Sequence, residues 1–277
     1  VLVGENSSGK STFLALVRTA WDLCYGPTQV NFNEEPFTLG TYDQIASYRG
    51  GRAGRAKCLR IGARVPLSQR ARASGNRRLP PCVTIEGCFT HIGTEGVEGK
   101  VSGEDLEVLR TLADAVTGLV GRRPYAFAPI RTRPQRTYEP FDTVAGPEGQ
   151  HVPVVLAKAL TSDPKEWQLF QQALSEFGKA SGLFRSVGVR RLGDKESDPF
   201  QLTVKVSGRA FNLVDVGYGV SQALPMIVDC VRQPEGSTFL LQQPEVHLHP
   251  KAQAELGSFL AVLAKEQRKR FVVETHS

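Results

Sequence analysis

The strongest constraint on this chain stands at its start. Val1-Leu2-Val3 runs into Gly4-Glu5-Asn6-Ser7-Ser8-Gly9-Lys10-Ser11-Thr12, which fits the spacing Gly-x-x-x-x-Gly-Lys-Ser/Thr. An apolar strand precedes the segment, and a helix with Leu14, Val17, Trp21 and Cys24 at three- and four-residue spacings follows it. Strand, glycine-rich turn and helix N-terminus, in that order, gather backbone N–H groups around an anion, with the positive end of the helix behind them. Lys10 can reach β- and γ-phosphates, and the Ser11 hydroxyl suits Mg²⁺. A chance Gly/Ser turn would lack the flanking elements. The pattern implies a nucleoside triphosphate site on an α/β fold.

The far end of the chain narrows the class. Ser237-Thr-Phe-Leu-Leu241 reads as a buried strand, followed by Gln242-Gln243-Pro244-Glu245-Val246-His247-Leu248-His249-Pro250. A helix comes next, with Ala252, Leu256, Phe259, Leu260 and Leu263 on one face and basic residues from Lys265 to Arg270 at its end. Phe271-Val-Val-Glu274 is the following strand, leading into Thr275-His276-Ser277. Strand, helix, strand predicts parallel pairing. Upstream, Asp215-Val-Gly217-Tyr-Gly219-Val-Ser221-Gln222 is a Gly/Ser turn opening a helix, for which a plain helix-start loop capped by Ser221 is the simpler alternative.

These motifs in this order resemble the ABC-type ATPases related to SMC, RecF and OLD proteins, many of them grouped as "AAA family" ATPases and several found in anti-phage defence. The resemblance implies an α/β P-loop NTPase of ABC type. It implies a mixed or parallel core sheet, an antiparallel β subdomain and an inserted helical lobe. It divides one head into a phosphate loop and β subdomain over 1–100, a helical lobe over 101–200, and signature, Walker B strand and His switch over 201–277. It further implies ATP and Mg²⁺ as cofactors and a head-to-tail homodimer, each triphosphate held between one head's phosphate loop and the other's signature. On that basis Gly4, Glu5, Asn6, Ser7, Ser8, Gly9, Lys10, Ser11, Thr12, Gly217, Gly219, Ser221 and Gln222 are the nucleotide-binding candidates. Gln243, Glu245 and His276 are the catalytic ones, and Ser11 with Gln242 the metal ligands.

The sequence departs from the family where most members carry Asp-Glu at the Walker B end. Gln242 and Gln243 stand there. An amide is no general base and brings no charge to a divalent cation, although it can orient a water. Glu245 is the nearest carboxylate that could substitute. Slow hydrolysis and a non-hydrolysing ATP switch both remain open, as do a subfamily feature and an introduced change as origins of the pair. A small-molecule kinase or transferase would leave Ser221, Gln222 and His276 without a role.

Charge and cysteine usage bound the partners and the compartment. The net charge of +6 comes from one stretch, Arg49–Arg78, which holds ten cations and no acid and leaves 24 cations against 28 acids elsewhere. Such a run fits a nucleic-acid backbone or a solvated surface loop, and without interleaved aromatics it disfavours base stacking. Five scattered cysteines give neither a disulfide scaffold nor zinc spacing, and a reduced, cytoplasmic setting is the expectation. No apolar run approaches the roughly 18 residues of a membrane span.

In the middle, Lys57–Val65 and Cys82–His91 read as strands, Gln201–Val206 and Arg209–Val214 as a hairpin, and Glu104–Leu119, Val152–Leu160 and Pro164–Phe177 as helices. No heptad run suggests a long coiled-coil arm. Arg131 and Arg136, in a Pro/Arg stretch, suit either a phosphate or a carboxylate anchor. Both ends cut through strand-like segments, so a longer chain is expected, with a nuclease or other effector after Ser277 or supplied in trans.

Overall fold

The computed structural model describes residues 2–3, 9–25, 30–46, 54, 56–66, 82–92, 96–102, 122–141 and 144–276. The chain divides into two compact units, Val1–Glu5 with Tyr125–Ser277, and Asn6–Pro124.

The first unit is built on a parallel sheet of β1 (Leu2–Val3), β7 (Tyr125–Phe127), β11 (Thr238–Gln242) and β12 (Arg270–Thr275), in the order β1-β12-β11-β7. Every residue of β11 is buried, as expected for a central parallel strand covered on both faces. Its register runs from Thr238 against Arg270 to Gln242 against Glu274 on one side, and from Phe239 against Tyr125 to Leu241 against Phe127 on the other. β1 aligns Val3 with Thr275. All four strands therefore end at one edge, the place where ligands of open parallel sheets bind. The predicted strand-helix-strand unit is present as β11, helix α6 (Pro250–Glu266) and β12.

The helices of this unit start and stop where side-chain chemistry tells them to. Helix α4 (Pro164–Ser181) begins at Asp163, whose carboxylate accepts from the Lys165 and Glu166 amides, has Pro164 at its first position, and ends at Gly182 with φ 77°. Its Phe170, Leu174 and Phe177 are buried, each contributing about 1.5–3 kcal/mol. Helix α6 begins at His249, whose Nδ1 accepts the Ala252 N–H, and it buries Ala252, Leu256, Leu260 and Leu263. Helix α5 (Tyr218–Arg232) is buried almost all round from Gly219 to Val231, the mark of a core helix rather than an amphipathic surface one. Helix α3 (Val152–Ser162) packs beside these in the same core.

An antiparallel sheet of β8 (Ser186–Arg191), β9 (Phe200–Val206) and β10 (Arg209–Asn212) completes the unit, in the order β10-β9-β8. Ser207 and Gly208 form the predicted two-residue turn, both at positive φ (46° and 90°), which suits the twist of the hairpin. The stretch 101–200 thus carries core strand β7 and strand β8 besides the two helices anticipated there. The helix expected over Glu104–Leu119 lies outside the described residues.

The second unit joins helix α1 (Lys10–Tyr25) to an antiparallel sheet of β4 (Leu59–Pro66), β5 (Cys82–Ile92) and β6 (Gly96–Ser102), with a short pair β2 (Asn33–Glu34) and β3 (Phe37–Thr38) and one helical turn, α2 (Tyr42–Ile45). Leu23, Phe32, Ile61 and Phe89 form its core. Arg123 forks onto Asp22 at 2.7 and 2.8 Å and onto Glu34 at 2.7 and 2.6 Å. Cys58 and Cys88 are paired as a disulfide, a single bridge among the described residues rather than a disulfide scaffold. The register that sets Arg60 against Cys88 brings Cys58 close, and sequence spacing gives no sign of it. Among the described residues no helix is long and apolar enough to cross a membrane.

Candidate functional site

Gly9 adopts φ 84° immediately before α1, with nothing among the described residues within 4 Å of a Cβ added there. The left-handed backbone by itself calls for glycine at this point. Lys10 is buried and opens the helix, Ser11 and Thr12 are exposed, and the first turn holds no acidic residue. That leaves the positive helix end open to an anion. Gly4, Glu5, Asn6, Ser7 and Ser8 lie outside the described residues.

At the C-terminal edge of the parallel sheet, the Walker B and switch candidates come together. Gln243 leaves β11 with φ 43°, a left-handed conformation uncommon outside glycine. Its N–H donates to Glu274 O at 2.9 Å, and its side-chain amide nitrogen donates to His276 Nε2 at 3.0 Å. Glu245 Oε1 accepts from Thr275 Oγ1 at 2.6 Å and from the His276 backbone N–H at 3.0 Å. Two segments 30 residues apart in sequence are thereby locked at the point where β1, aligned through Val3 with Thr275, delivers the chain to Gly4. Thr275 is a site residue that the motif reading passed over, although it stands beside His276 in the same motif.

Two buried acceptors at this edge lack a hydrogen-bond partner among the described residues, Gln242 Oε1 and Glu245 Oε2. Among the described residues no group of three or more His, Cys, Asp and Glu could hold a metal ion. Mg²⁺ does not require one, because it binds through one or two hard oxygens with phosphates and water completing its shell. The Gln242 oxygen is a neutral candidate for that demand. His249 caps α6 through Nδ1, a structural task. His247 sits at φ 66° with its ring edge-on to Tyr218, centroids 4.8 Å apart.

The signature candidates divide. Gly217 is exposed at the start of α5, while Gly219 is buried against the His247 carbonyl, 3.0 Å from where a Cβ would sit. The glycine there lets the helix start approach the loop after β11. Ser221 is buried and donates to Tyr218 O at 2.8 Å within its own turn. Gln222, 1% exposed, turns inward: its Oε1 accepts the Arg131 N–H at 3.0 Å and its Nε2 donates to Arg131 O at 3.5 Å. Around the N-terminus of α5 lies a groove of about 650 Å³ lined by residues including Phe211, Asp215, Gly217 and His247. Of the two candidate arginines, Arg136 is a carboxylate anchor, bidentate to Asp215 at 2.6 and 2.9 Å. Arg131 is buried and pairs with no carboxylate among the described residues; burial pushes its pKa down to about 10.

Of the basic stretch, only Lys57, Arg60 and Arg64 fall among the described residues. All three are exposed, and Arg60 lies 3.7 Å from Glu86.

Comparison with known proteins bears on these observations. Residues 106–277 match the family described as "AAA domain, putative AbiEii toxin, Type IV TA system". No curated protein matches the chain. Among solved structures, an SMC head bound to the C-winged helix domain of ScpA is similar at 14% identity and TM-score 0.52, over 99% of this chain and 81% of that one. The SMC head domain with an extended coiled coil bound to the C-terminal domain of ScpA, derived from Pyrococcus furiosus, is similar at 11% identity and TM-score 0.53, over 99% and 82%. The fold is that of an ABC-type P-loop NTPase, as expected from the motif order.

Proposed function

This chain belongs to the AAA-domain family matched over residues 106–277, a family of nucleotide-binding ATPases, and from that premise we propose that it is an ATP-dependent switch that pairs head to tail and hydrolyses ATP slowly. The observation that carries the reading is the meeting of Gln243, Glu245, Thr275 and His276 at the sheet edge into which β1 feeds the phosphate loop. In this reading the backbone around Gly4–Gly9, Lys10, Ser11 and Thr12 hold the phosphates, with Ser11 and Gln242 on Mg²⁺. Bound Mg²⁺ would neutralise phosphate charge. His276 senses the terminal phosphate from its place beside Gln243. Glu245 is the carboxylate nearest in sequence to the Walker B pair, and its Oε1 is engaged by two donors that stabilise the ionised form, which supports a low turnover rate.

Gly217, Gly219 and Ser221 at the start of α5 supply the second anion site, toward a partner head's nucleotide. Ser221 reaches it by rotating its hydroxyl off Tyr218 O. ATP then joins two copies, and hydrolysis releases them to act on DNA or an effector, with repair or anti-phage defence as settings. The basic stretch Arg49–Arg78 is the nucleic-acid contact, and an effector protein attaches in trans or beyond Ser277, in the cytoplasm. SMC heads bound to ScpA domains are a precedent for a protein partner on this fold.

A second reading has a specific observation behind it. Neither Gln242 nor Gln243 offers a carboxylate, and Gln243 is tied to His276, so in this reading ATP acts as a ligand alone. Light scattering with and without Mg²⁺-ATP, together with single-turnover hydrolysis by wild type, Lys10→Ala and Gln243→Glu, tests both. Wild-type turnover that Lys10→Ala abolishes eliminates the pure switch. No ATP-dependent change in mass eliminates the head-to-tail dimer.

A further inference from the structure

Arg131 follows β7 at the same C-terminal sheet edge and is 1% exposed, one of the largest fully buried side chains. Among the described residues its Nη1 reaches only the Pro129 carbonyl, at 3.4 Å, while Nε and Nη2 are buried without a partner. Burying an ionised guanidinium with no counter-ion costs several kcal/mol, so such a group is expected to meet an anion in the working molecule.

The same protein indicates what kind. In Arg123 the Nε and Nη2 edge grips both oxygens of Asp22, at 2.7 and 2.8 Å. That edge is the side-on fork that matches carboxylate or phosphate, and in Arg131 the two atoms of this edge are the unpaired ones. Internal carboxylates do not supply the match. Glu245 acts on Arg131 electrostatically, but its Oε1 is held by Thr275 and His276, so it cannot offer two free oxygens. The Arg131 backbone is meanwhile gripped by the Gln222 amide on α5, which fixes the residue without consuming its guanidinium donors.

Topology supplies the direction. β1 and β7 lie at opposite sides of the four-stranded sheet, three strand spacings or about 14 Å apart. Arg131 thus follows a strand that ends at the same edge as Gln242 and Thr275.

We propose that Arg131 binds the terminal phosphate of a nucleoside triphosphate through its Nε/Nη2 edge, and that Gln222 is a positioning residue that couples this contact to helix α5. The proposal rests on the nucleotide reading above and adds, beside His276, a second residue that tells triphosphate from diphosphate. Thermal melts of the full chain with Mg²⁺ plus ATP, ADP or inorganic phosphate test it, using wild type, Arg131→Met and Arg131→Lys.

Wild type is expected to be protected more by ATP than by ADP. Arg131→Met should lose that margin, with ATP affinity falling tenfold or more toward that of ADP and ADP affinity unchanged. Without ligand it should melt no lower than wild type, because an uncompensated buried charge has been removed. Arg131→Lys keeps the charge without the fork and should fall between, and it decides the matter if Arg131→Met does not fold. An ATP-over-ADP margin preserved in the variants overturns the assignment, as does equal protection of wild type by ATP and ADP. Inorganic phosphate protecting wild type as well as ATP does so too, since free phosphate is then the ligand. Wild type protected by neither nucleotide instead overturns the nucleotide reading itself.

Discussion

His151 and Asp229 form a buried pair whose removal should be felt at the functional edge. Their side chains are 6% and 8% exposed, with Nε2 and Oδ1 3.0 Å apart. The Gly146 N–H donates to Nδ1 at 3.4 Å, so the ring proton lies on Nε2 and is given to the carboxylate. The bond ties the residue before α3 to the last turn of α5, whose other end presents Gly217–Gln222. His151→Ala removes a hydrogen bond to a charged group, about 1.5–3 kcal/mol, and leaves a small cavity that adds about 1 kcal/mol. A loss of about 2.5–4 kcal/mol in a unit of this size lowers the melting temperature by roughly 5–15 °C. Urea unfolding of His151→Ala, Asp229→Ala and the double variant measures the coupling. Each single variant strands one buried partner, so the double should cost less than the sum by about 1–2 kcal/mol. Strict additivity, or a His151→Ala cost under about 0.5 kcal/mol, refutes the reasoning.

Three other outcomes follow from the geometry. Arg123→Met should destabilise the Asn6–Pro124 unit by about 3–5 kcal/mol, because Asp22, with a side chain only 4% exposed, is left without its cation. Hydrogen bonds from Arg123 hold the Glu34 carboxyl below its ordinary 4.5. Its contribution is therefore complete above that pH and is lost as pH falls through the lower folded value, so acid melts should decline more steeply for wild type than for Arg123→Met. Gly149→Ala puts a Cβ 2.3 Å from Pro225 Cβ at φ 78° and should cost about 1–3 kcal/mol in urea unfolding. Gly9→Ala meets no neighbour among the described residues and bears the strain of its φ of 84°, about 1–2 kcal/mol, and calorimetric titration should find weaker ATP binding beyond that loss of stability.

Much of the first unit was legible because its signals are local. β11 is an unbroken apolar run, α4 is announced by Asp163-Pro164 and α6 by His249-Pro250, and the turn at Ser207-Gly208 separates two alternating strands. β7 was not legible: three residues carry no period, and its place beside β11 depends on pairing across more than a hundred residues. The same holds for Gln222. Read by motif it faces a nucleotide, but its partner Arg131 lies 91 residues away, and no spacing rule connects them. The meeting of Gln243 and Glu245 with the Thr275-His276 segment was legible only as an order of motifs. The sheet register turns that order into hydrogen bonds.

The amides at 242 and 243 bear on more than the missing base. A carboxylate pair at the end of β11 would add negative charge to an edge that already carries Glu245 and Glu274, whereas neutral oxygens leave the Arg131 cation less compensated. In a buried, low-dielectric setting that difference favours a polyanion in the ground state. A triphosphate bound there is held more tightly, but tighter holding lowers the barrier only if it grows in the transition state. Hydrolysis would further rely on Glu245 Oε2, and the two donors on Oε1 stabilise the carboxylate and make it a weaker base. Strong ground-state binding combined with a weakened base lengthens the ATP-bound interval. If ATP is what joins two heads, that interval is the lifetime of the dimer, and restoring a carboxylate with Gln243→Glu should shorten it by raising turnover, while Arg131→Met should shorten it by weakening the grip.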